Sequence, residues 1–433
     1  MPEYLDMNSF CKRIPKVELH AHLYGSIRAT TLIELALARN VILPPEFLLH
    51  EEEKTTTLKL DEVDDDEVLF LNMKPRSLKD CFAIFDDILP HCVNDLPSLR
   101  RITHEMLEDA SFDNVIYLEV RTGPKILLTD HHLEEQYCTK KEYVQTILDV
   151  MQDFETTDRI RYEEAVRNTS QDIANNDNNI RLPMIPRLII SIDRSGTVDQ
   201  AMENVQLAIE MSRSTKYIVG VELGGNPTRN SFTMFEPIFV IARKAGLAIS
   251  IHCGEIPMSE DDETKTNSNE HVAYQEAVSI IQFRPERLGH ALLLSDSLID
   301  KLIKDPIHIE CCPTSNVMTL ELTSTSSQVA GEERRGNLLD GINHHPQLGQ
   351  WIQHQYPISI NTDDSGIFST TLTKEYILVM KGYNLNETDL TNIIVNSIKH
   401  IFDQSEEIKK WLVTMVLDMF ERLMGWPLDK LNA

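Results

Sequence analysis

The sequence predicts an α/β protein whose strands close into a single (β/α)8 barrel of the TIM type, and three observations carry this prediction. Eight short apolar runs are spread along the chain. Helical patterns separate nearly all of them, which is typical of a parallel sheet. Residue types able to do chemistry stand at the ends of most runs, as expected at the carboxyl-terminal mouth of a barrel. A doubly wound open sheet is the alternative architecture.

The first half of the chain supplies two strands and several extra helices. The first strand begins at Lys16 and ends with His22, and Ser26 is the expected N-cap of the helix that follows. An acidic stretch, Leu48–Phe70, reads as a solvated insertion. The other predicted elements are helices over Ala29–Arg39, Leu78–Leu89 and Pro97–Ser111, a strand over Val115–Arg121, and one long or two short helices over Lys141–Asn168.

The second half alternates strands and helices regularly. Six strands are predicted over Pro186–Asp193, Ile218–Leu223, Leu247–His252, Glu286–His290, Ile307–Cys312 and Pro357–Asp363. Helices are predicted over Val198–Arg213, Phe235–Ala245 and His271–Gln282. Polar loops interrupt this pattern at Ser259–Asn269 and Thr323–Asn337. The insertions Leu48–Phe70 and Ser259–Asn269 are each a candidate lid or an inert insertion. The tail, Glu387–Met424, is expected to be helical and to pack outside the barrel.

Composition describes an ordinary globular protein of 433 residues, with 42% hydrophobic residues and a formal net charge of −27. So acidic a surface repels phosphate backbones and argues against a nucleic-acid partner. No apolar run reaches membrane-spanning length, and no secretory signal is recognised. Seven scattered cysteines suggest a reduced, cytoplasmic compartment. We expect one domain over residues 1–433, with helical additions at 29–112 and 387–424, and a monomer.

The first strand ends in the pair His20 and His22. Side chains two apart on a strand point the same way, so both imidazoles can bind one divalent metal ion. With fifteen histidines in the chain, one such pair can also arise by chance as an ordinary surface or core-edge pair. Further ligands are therefore needed to favour a metal site.

The other predicted strands supply such residues at the same structural position. Their ends carry Arg121, Asp193, the Glu222–Gly225 turn, His252, His290 and the pair Asp363 and Asp364. Each residue taken singly has an ordinary structural explanation. Several histidines and carboxylates on one rim are hard to explain as packing, because the rim is where barrel enzymes place their chemistry.

A zinc site follows from these residue types. His20, His22, His252 and Asp363 would bind one zinc ion through nitrogen and oxygen and leave room for water. Zinc lowers the pKa of bound water from about 15.7 to about 7. Glu255 follows the fifth strand, and an enclosed cavity would raise its pKa and make it a proton donor. His290 and Asp364 remain for acid–base work or orientation, which predicts a metal hydrolase without naming its substrate.

Five motifs resemble the adenosine deaminase family of barrel metalloenzymes: HAHLYGS, HCGEIP, RLGHALLL, CCPTSNV and INTDDSGIFST. They stand in the family's order, and the resemblance covers about Lys16 to Phe402. The segments YLEVRTGPK, SIDRSG and NTDDSGIFSTTLTKEY look closest to the adenosine deaminase-like branch. Members of that branch remove an alkylamine from N(6)-methyl-AMP and release inosine monophosphate.

The resemblance implies a role for each matching residue. His20, His22, His252 and Asp363 fall on the zinc ligands, and Glu255 falls on the donor that protonates purine N1. His290 matches the histidine that orients, or deprotonates, the metal-bound water. Asp364 matches the contact to purine N7, and Gly225 the backbone contact to N3. The implied substrate contacts are His22, Tyr24, Thr122, Gly123, Pro124, Lys125, Asp193, Gly225 and Asp364.

Four positions depart from the branch. Lys125 stands where arginine is common, so a forked phosphate contact would become a point-charge contact. Tyr24 replaces an asparagine or aspartate that meets the ribose or its 5′ substituent. Leu89 lies where a histidine is expected, with His91 as a possible substitute, and Glu222 replaces aspartate. These departures concern the choice between nucleoside and nucleotide and leave the zinc ligands unchanged.

The predicted activity is therefore hydrolytic deamination at C6 of a purine, with N(6)-methyl-AMP as substrate, and IMP and methylamine as products. The alternative substrate is adenosine or 2′-deoxyadenosine, which would give inosine and ammonia. An alternative of another class is a catalytically inactive purine- or metal-binding protein. A two-metal barrel hydrolase would need a bridging lysine near VELGGN, and a cytidine-deaminase type would need a P-C-x-x-C signature; the sequence has neither.

Overall fold

The computed structural model describes residues 5–44, 47, 76–131, 136–169, 180–260, 269–322 and 337–425. The acidic insertion Leu48–Phe70 lies outside the described residues. So does most of the two loops predicted at 259–269 and 323–337. Within the described part of the chain, no helix has the length and apolar character needed to cross a bilayer.

Eight parallel strands pair in sequence order, from the first to the eighth, and confirm the (β/α)8 barrel. Their bounds are β1 Lys16–His22, β2 Val115–Thr122, β3 Ile185–Asp193, β4 Ile218–Gly224, β5 Ala248–Cys253, β6 Arg287–His290, β7 His308–Cys311 and β8 Ile358–Ile360. All the strands are largely buried, which explains why they read as nearly continuous apolar runs.

Helices surround this barrel. In chain order they are α1 Met7–Arg13, α2 Ala29–Ala38, α3 Leu78–Asp87, α4 Leu89–Cys92, α5 Leu96–Phe112, α6 Lys140–Thr169, α7 Val198–Ser212, α8 Phe232–Lys244, α9 Asn269–Phe283, α10 Asp296–Lys304, α11 Pro313–Thr319, α12 Leu338–Ile342, α13 Leu348–Gln353, α14 Leu372–Tyr383, α15 Glu387–Ile398 and α16 Glu406–Met424. The stretch predicted as one or two helices over Lys141–Asn168 is the single helix α6.

The expectation that Ser26 caps the first helix after β1 is wrong. Arg28 is the N-cap of α2, its backbone is extended, and no side chain caps the helix. The carbonyl of Gly25, the residue before Ser26, accepts the N–H groups of Gly366 and Ile367 in the loop after β8. Residues 23–26 form a turn, closed by the Ser26 N–H donating to the Leu23 carbonyl at 3.3 Å, and the helix begins three residues later, at Ala29.

The helical tail does not lie wholly outside the barrel. It divides into α15 and α16, and the connection between them crosses the amino-terminal end of the strands. There Phe402 packs against Ile189 and Ala248, and its N–H donates to Glu119 at 2.7 Å. Local helical periodicity could not predict this break, because the contacts that stabilise the connection come from distant strands.

The barrel closes between β8 and β1 through side chains as well as backbone. The Glu18 carboxylate accepts the N–H of His20 at 3.0 Å on one side and the N–H of Thr362 at 3.0 Å on the other. The N–H of Leu19 donates to the Asn361 side chain at 3.1 Å. These bonds, here called the closing seam, stand beside the candidate ligands of β1 and β8 and hold the two strand ends together.

Charged side chains fill the barrel beneath its mouth. Arg121 pairs with Glu222 at 2.7 Å and with Glu310 at 2.5 Å. Arg287 pairs with Glu310 at 2.6 Å and with Glu119. All five side chains are fully buried, and charges removed from water must be paired in this way. The network therefore forms a fixed floor under the candidate site.

Candidate metal centre and substrate pocket

Four candidate ligands meet at the mouth of the barrel. Oδ1 of Asp363 lies 3.3 Å from Nε2 of His20 and 3.5 Å from Nε2 of His22. Nε2 of His22 lies 3.3 Å from Nε2 of His252. The structure thus brings together three imidazoles and one carboxylate from β1, β5 and the loop after β8, as the sequence predicts.

In His20 and His252, a hydrogen bond at Nδ1 leaves Nε2 able to bind a cation. Nδ1 of His20 lies 2.7 Å from Glu310, and Nδ1 of His252 lies 3.0 Å from the Leu223 carbonyl. With the ring proton donated there, each Nε2 keeps its lone pair. Nε2 of His20 is buried and, within the described part of the chain, has no hydrogen-bond partner. Burial lowers the pKa of His252 well below its usual value, which favours the neutral ring. The donor set therefore fits a divalent metal ion.

His290 belongs to the same cluster of potential ligand atoms as His20, His252 and Asp363. Its Nε2 lies 3.8 Å from Glu255 and 3.9 Å from Oδ2 of Asp363. Both His290 and Asp363 have left-handed backbones, with φ of 59° and 61°. Such conformations are uncommon for residues other than glycine and often mark functional sites.

Two carboxyl groups that line the pocket, those of Glu255 and Asp364, have raised pKa values, which favours the protonated form. Burial raises the pKa of Glu255. Burial and the neighbouring Asp363 raise the pKa of Asp364 well above its usual value. Oδ1 of Asp364 is buried and has no hydrogen-bond partner among the residues that the structure describes. By contrast, Asp363 stays ionised among the histidines, and its Oδ2 accepts a 2.7 Å hydrogen bond from Ser315.

A pocket of about 220 Å³ opens over these groups. Its wall includes twelve residues predicted from the sequence, namely His22, Tyr24, Thr122, Gly123, Lys125, Asp193, Gly225, His252, Glu255, His290, Asp363 and Asp364. Gly225 has a φ of 89°, and a Cβ there would lie 2.3 Å from Oδ1 of Asp193. Only glycine fits this position, and its backbone is thereby open to a ligand.

Lys125 and Tyr24 stand together at one side of the pocket. The Lys125 ammonium lies 4.6 Å from the centre of the Tyr24 ring, a cation–π contact. Asp86 and Asp193 share the same pocket wall. Because Asp193 accepts the N–H of Ser195 at 2.8 Å, one of its oxygens is already engaged within its own turn.

Some predicted residues lie elsewhere. His20 lies beneath the pocket, fully buried, and Pro124 does not line the pocket although both its neighbours do. Leu89 is buried in α4, and His91 is exposed outside the pocket. Arg121 borders the pocket, but its guanidinium pairs with the glutamates of the barrel floor.

Sequence reasoning missed an apolar wall. Leu78, Cys81, Phe82 and Phe85 of α3 line the pocket together with Leu292 and Phe368. The sequence predicts α3 as a helix with one apolar face. Such a pattern does not show whether this face packs into the protein core or lines a binding pocket. The wall offers apolar contact to a flat aromatic ligand.

Glu222, which departs from the usual aspartate, reaches into the barrel floor. Its carboxylate accepts from Arg121 at 2.7 Å and from Ser191 at 2.5 Å. Its oxygens lie 3.7 Å from Nδ1 of His22 and 3.6 Å from Nδ1 of His252. Glu222 therefore stands behind the two rings, on the side away from the shared centre of their Nε2 atoms.

Comparison with known proteins agrees with this site. The family model described as Adenosine deaminase matches residues 15–418. An N6-mAMP deaminase of Arabidopsis thaliana is 30% identical over 92% of this chain and 95% of its own length. An N6-Methyl-AMP deaminase of Homo sapiens is 28% identical over 93% and 94%. The crystal structure of Arabidopsis ADAL complexed with IMP is 28% identical, with a TM-score of 0.66 over 94% of this chain and 97% of that one.

A match that spans most of the chain and contains every candidate ligand identifies the fold and the general chemistry together. The polypeptide is a member of the adenosine deaminase family, whose barrel carries out hydrolytic purine deamination.

Proposed function

We propose that this chain is a zinc-dependent aminohydrolase that converts N(6)-methyl-AMP and water to IMP and methylamine. The observation that carries the proposal is the meeting of His20, His22, His252 and Asp363 beside a half-buried Glu255 whose pKa is raised. The substrate follows from the lysine in the pocket and from the relatives named N6-methyl-AMP deaminases. The Arabidopsis relative crystallised with IMP, the proposed product, supports the same assignment.

The three histidines and Asp363 would hold one zinc ion per chain. When bound there, zinc lowers the pKa of a coordinated water so that hydroxide is available near neutral pH. Imidazole nitrogen and carboxylate oxygen are suited to zinc among the divalent ions. The deep burial of His20 and Asp363 keeps bulk solvent from competing with these ligands.

Glu255 supplies the proton that the purine needs. Addition of water at C6 breaks the C6–N1 double bond, so N1 must gain a proton as the new C–O bond forms. A carboxyl group with a raised pKa keeps its proton until that moment, and such positioned donors typically contribute about 10²- to 10⁴-fold in rate. The C6–N6 bond then breaks as the added hydroxyl group gives up its proton and becomes the C6 carbonyl of IMP. That proton goes to the leaving nitrogen, which departs as methylamine.

Asp364 and Gly225 hold the purine in place in this proposal. A protonated Asp364 can donate to N7, which accepts hydrogen bonds in every purine. The backbone N–H of Gly225 can meet N3, because no side chain blocks its approach. The apolar wall formed with α3 covers the ring and leaves room for a small N6 substituent.

Lys125 is the proposed phosphate contact. The Tyr24 ring holds its ammonium at the pocket wall, where a phosphate would replace the weaker cation–π contact with a charge-assisted hydrogen bond. Asp86 and Asp193 on the same wall oppose a dianion, and this observation favours the second candidate, adenosine or 2′-deoxyadenosine. A catalytically inactive purine-binding protein is the third candidate, although both the acid and the ligand set are present.

A comparison of N(6)-methyl-AMP, AMP and adenosine as substrates tests the choice among these candidates. The highest kcat/KM is expected for N(6)-methyl-AMP, and a preference for adenosine would transfer the assignment to the second candidate. No turnover of any of the three by zinc-loaded protein would support the inactive protein. Dialysis against a chelator should abolish activity, and added zinc should restore it.

Glu255→Gln tests the proton donor. Glutamine keeps the shape of the side chain but has no acidic proton, so activity should fall by at least about 10²-fold while zinc content stays at one per chain. Near-normal hydrolysis with full zinc would reject the assignment of Glu255.

The chain is further proposed to act as a monomeric cytoplasmic enzyme whose residues 1–433 form one domain. Its seven cysteines are all free and buried, which suits a reducing compartment. A single species of about 50 kDa in solution is the expected observation.

A further inference from the structure

His290 is the first of three buried polar side chains that lie in a row. His290, Asn316 and His345 are 4%, 1% and 8% exposed. The Asn316 amide lies between the two rings, with Oδ1 placed 3.0 Å from Nδ1 of His290 and Nδ2 placed 3.1 Å from Nε2 of His345. Neither Asn316 nor His345 has a role in the deamination described above.

His345 lies just before the helix α13, whose N-cap is Gln347. Nδ1 of His345 accepts the backbone N–H of Gln347 at 3.3 Å and of Leu348 at 3.1 Å. A ring nitrogen that accepts N–H groups cannot carry a proton itself. Burial, with a contribution from His290, lowers the pKa of His345 to about 3, in keeping with a neutral ring. The single proton of that ring must then lie on Nε2.

The proton on Nε2 of His345 decides the direction of the Asn316 amide. If the amide nitrogen faced His345, two N–H donors would oppose each other in a buried place, at a cost of about 1–3 kcal/mol. The hydrogen bonds at Nδ1 of His345 therefore require the Asn316 amide to be turned end for end from this placement, so that its oxygen accepts the proton of His345. The two ends of an amide are equal in shape, so this choice turns the amide nitrogen toward Nδ1 of His290.

We propose that His345 is a positioning residue which, through Asn316, fixes His290 as the tautomer that carries its proton on Nε2. Nδ1 of His290 accepts from the Asn316 amide, and Nε2 presents an N–H toward the space between Glu255 and Asp363. His290 then donates a hydrogen bond to the oxygen that adds to C6. The neutral ring in this form has no lone pair on that side and cannot take the proton of the attacking water.

The inference rests on the proposed deamination and chooses between the two roles that the resemblance left open for His290. A hydrogen-bond donor stabilises the oxygen as negative charge develops on it, and loss of one such donor typically costs about 10²- to 10³-fold in kcat. A general base would require the opposite tautomer, with the proton on Nδ1 and the amide oxygen facing it.

Asn316→Asp distinguishes the two roles. A carboxylate accepts at both ends, so it keeps the bond from His345 but forces the proton of a neutral His290 onto Nδ1. Across the pH range in which the wild type is active, kcat should fall about 10²-fold or more with KM little changed. If His290 were the base, the variant would hold it in its active tautomer. Unchanged or increased kcat would overturn the proposal.

A second pair of variants separates tautomer control from loop stability. His345→Ala removes the acceptor of the two N–H groups at the start of α13 and the partner of Asn316, and we expect a loss in kcat. Gln347→Ala removes the 2.7 Å hydrogen bond from this side chain to the Leu294 carbonyl in the same buried loop. It keeps the backbone N–H that donates to His345 and leaves the side chains of His290, Asn316 and His345 unchanged. An equal loss of kcat in both variants would show a merely structural role and would contradict the proposal.

Nitrogen NMR provides a readout that does not depend on activity. In metal-free, histidine-labelled protein, the ring ¹⁵N shifts of His345 and His290 should show protonated Nε2 and unprotonated Nδ1, with signals assigned by their absence in His345→Ala and His290→Gln. A proton on Nδ1 of His345 would overturn the inference. Because this measurement needs no substrate, it remains decisive even if N(6)-methyl-AMP proves not to be turned over.

Discussion

Oε2 of Glu310 lies 2.7 Å from Nδ1 of His20, and both side chains are fully buried. This contact joins the candidate metal centre to the charged floor of the barrel, because Glu310 also pairs with Arg121 and Arg287. The carboxylate thereby fixes the orientation of the ring and the nitrogen that faces the metal. The predictions below concern four side chains, Glu310, Glu18, Lys125 and Glu375.

Glu310→Gln should weaken zinc binding. The amide cannot pair with both arginines and still accept from His20, so the ring loses its orientation, and outer partners of this kind typically change metal affinity by about 10- to 100-fold. Competition with a chromogenic chelator measures the dissociation constant. Asp158→Asn is a matched control, because Asp158 is a buried carboxylate that accepts the N–H of Met184 far from the site. Equal zinc affinity in wild type and Glu310→Gln would contradict the role given to Glu310.

Glu18→Gln should lower the free energy of unfolding by about 1–3 kcal/mol. Glutamine has one acceptor oxygen where the closing seam needs two, so either His20 or Thr362 loses its partner. Thr362→Val is a graded control, since it removes only the 2.9 Å bond from the Thr362 hydroxyl to Glu18 and should cost about 1 kcal/mol. Denaturant titration of the metal-free protein measures both, and a larger loss in Thr362→Val than in Glu18→Gln would exclude a stabilising seam.

Lys125→Met should raise KM for N(6)-methyl-AMP by about 10- to 100-fold, the range expected for one hydrogen bond to a charged group. KM for adenosine should stay near the wild-type value, because a nucleoside carries no phosphate. Lys216→Met is the control, since Lys216 is an exposed lysine that pairs with Glu155 away from the pocket. Equal changes for nucleotide and nucleoside would remove Lys125 from the phosphate site.

Glu375 should make stability depend on pH. Burial raises its pKa to about 7, although Thr314 and Thr370 donate hydrogen bonds to it. The folded protein therefore holds this proton at pH values where the unfolded chain, with a pKa near 4.5, has lost it. The stabilisation is complete below pH 4.5 and is lost as the pH rises toward 7.

Glu375→Gln resembles the protonated acid at every pH, so its free energy of unfolding relative to wild type should rise by up to about 3 kcal/mol between those pH values. Denaturant titrations at several pH values measure the difference between the two proteins, which removes the contribution of all other groups. A difference that is constant with pH would show that Glu375 is ionised in the folded state.

The barrel itself was predictable from the chain. The strands are buried on both faces, so each is a continuous apolar run, and regular alternation with helices requires parallel pairing. The helix start at Ala29 was predicted correctly, but its N-cap is Arg28 and not Ser26, and Ser26 lies in a turn next to Gly25, which accepts hydrogen bonds from the distant Gly366 and Ile367. The break in the helical tail was not predictable, since it depends on Phe402 packing into the barrel.

The sequence by itself determined the eight-stranded fold and the residues His20, His22, His252, Glu255 and Asp363 as one chemical set, because residues at strand ends share one rim in any parallel barrel. Only the tertiary structure decided how those side chains are held. Asn316 lies within the motif CCPTSNV, but nothing in the sequence pairs it with His345 or pairs Glu310 with His20; these pairings appear only as distances of 2.7 to 3.1 Å to rings far away in the chain. Tautomers depend on individual donors and acceptors, and these become neighbours only when the barrel closes.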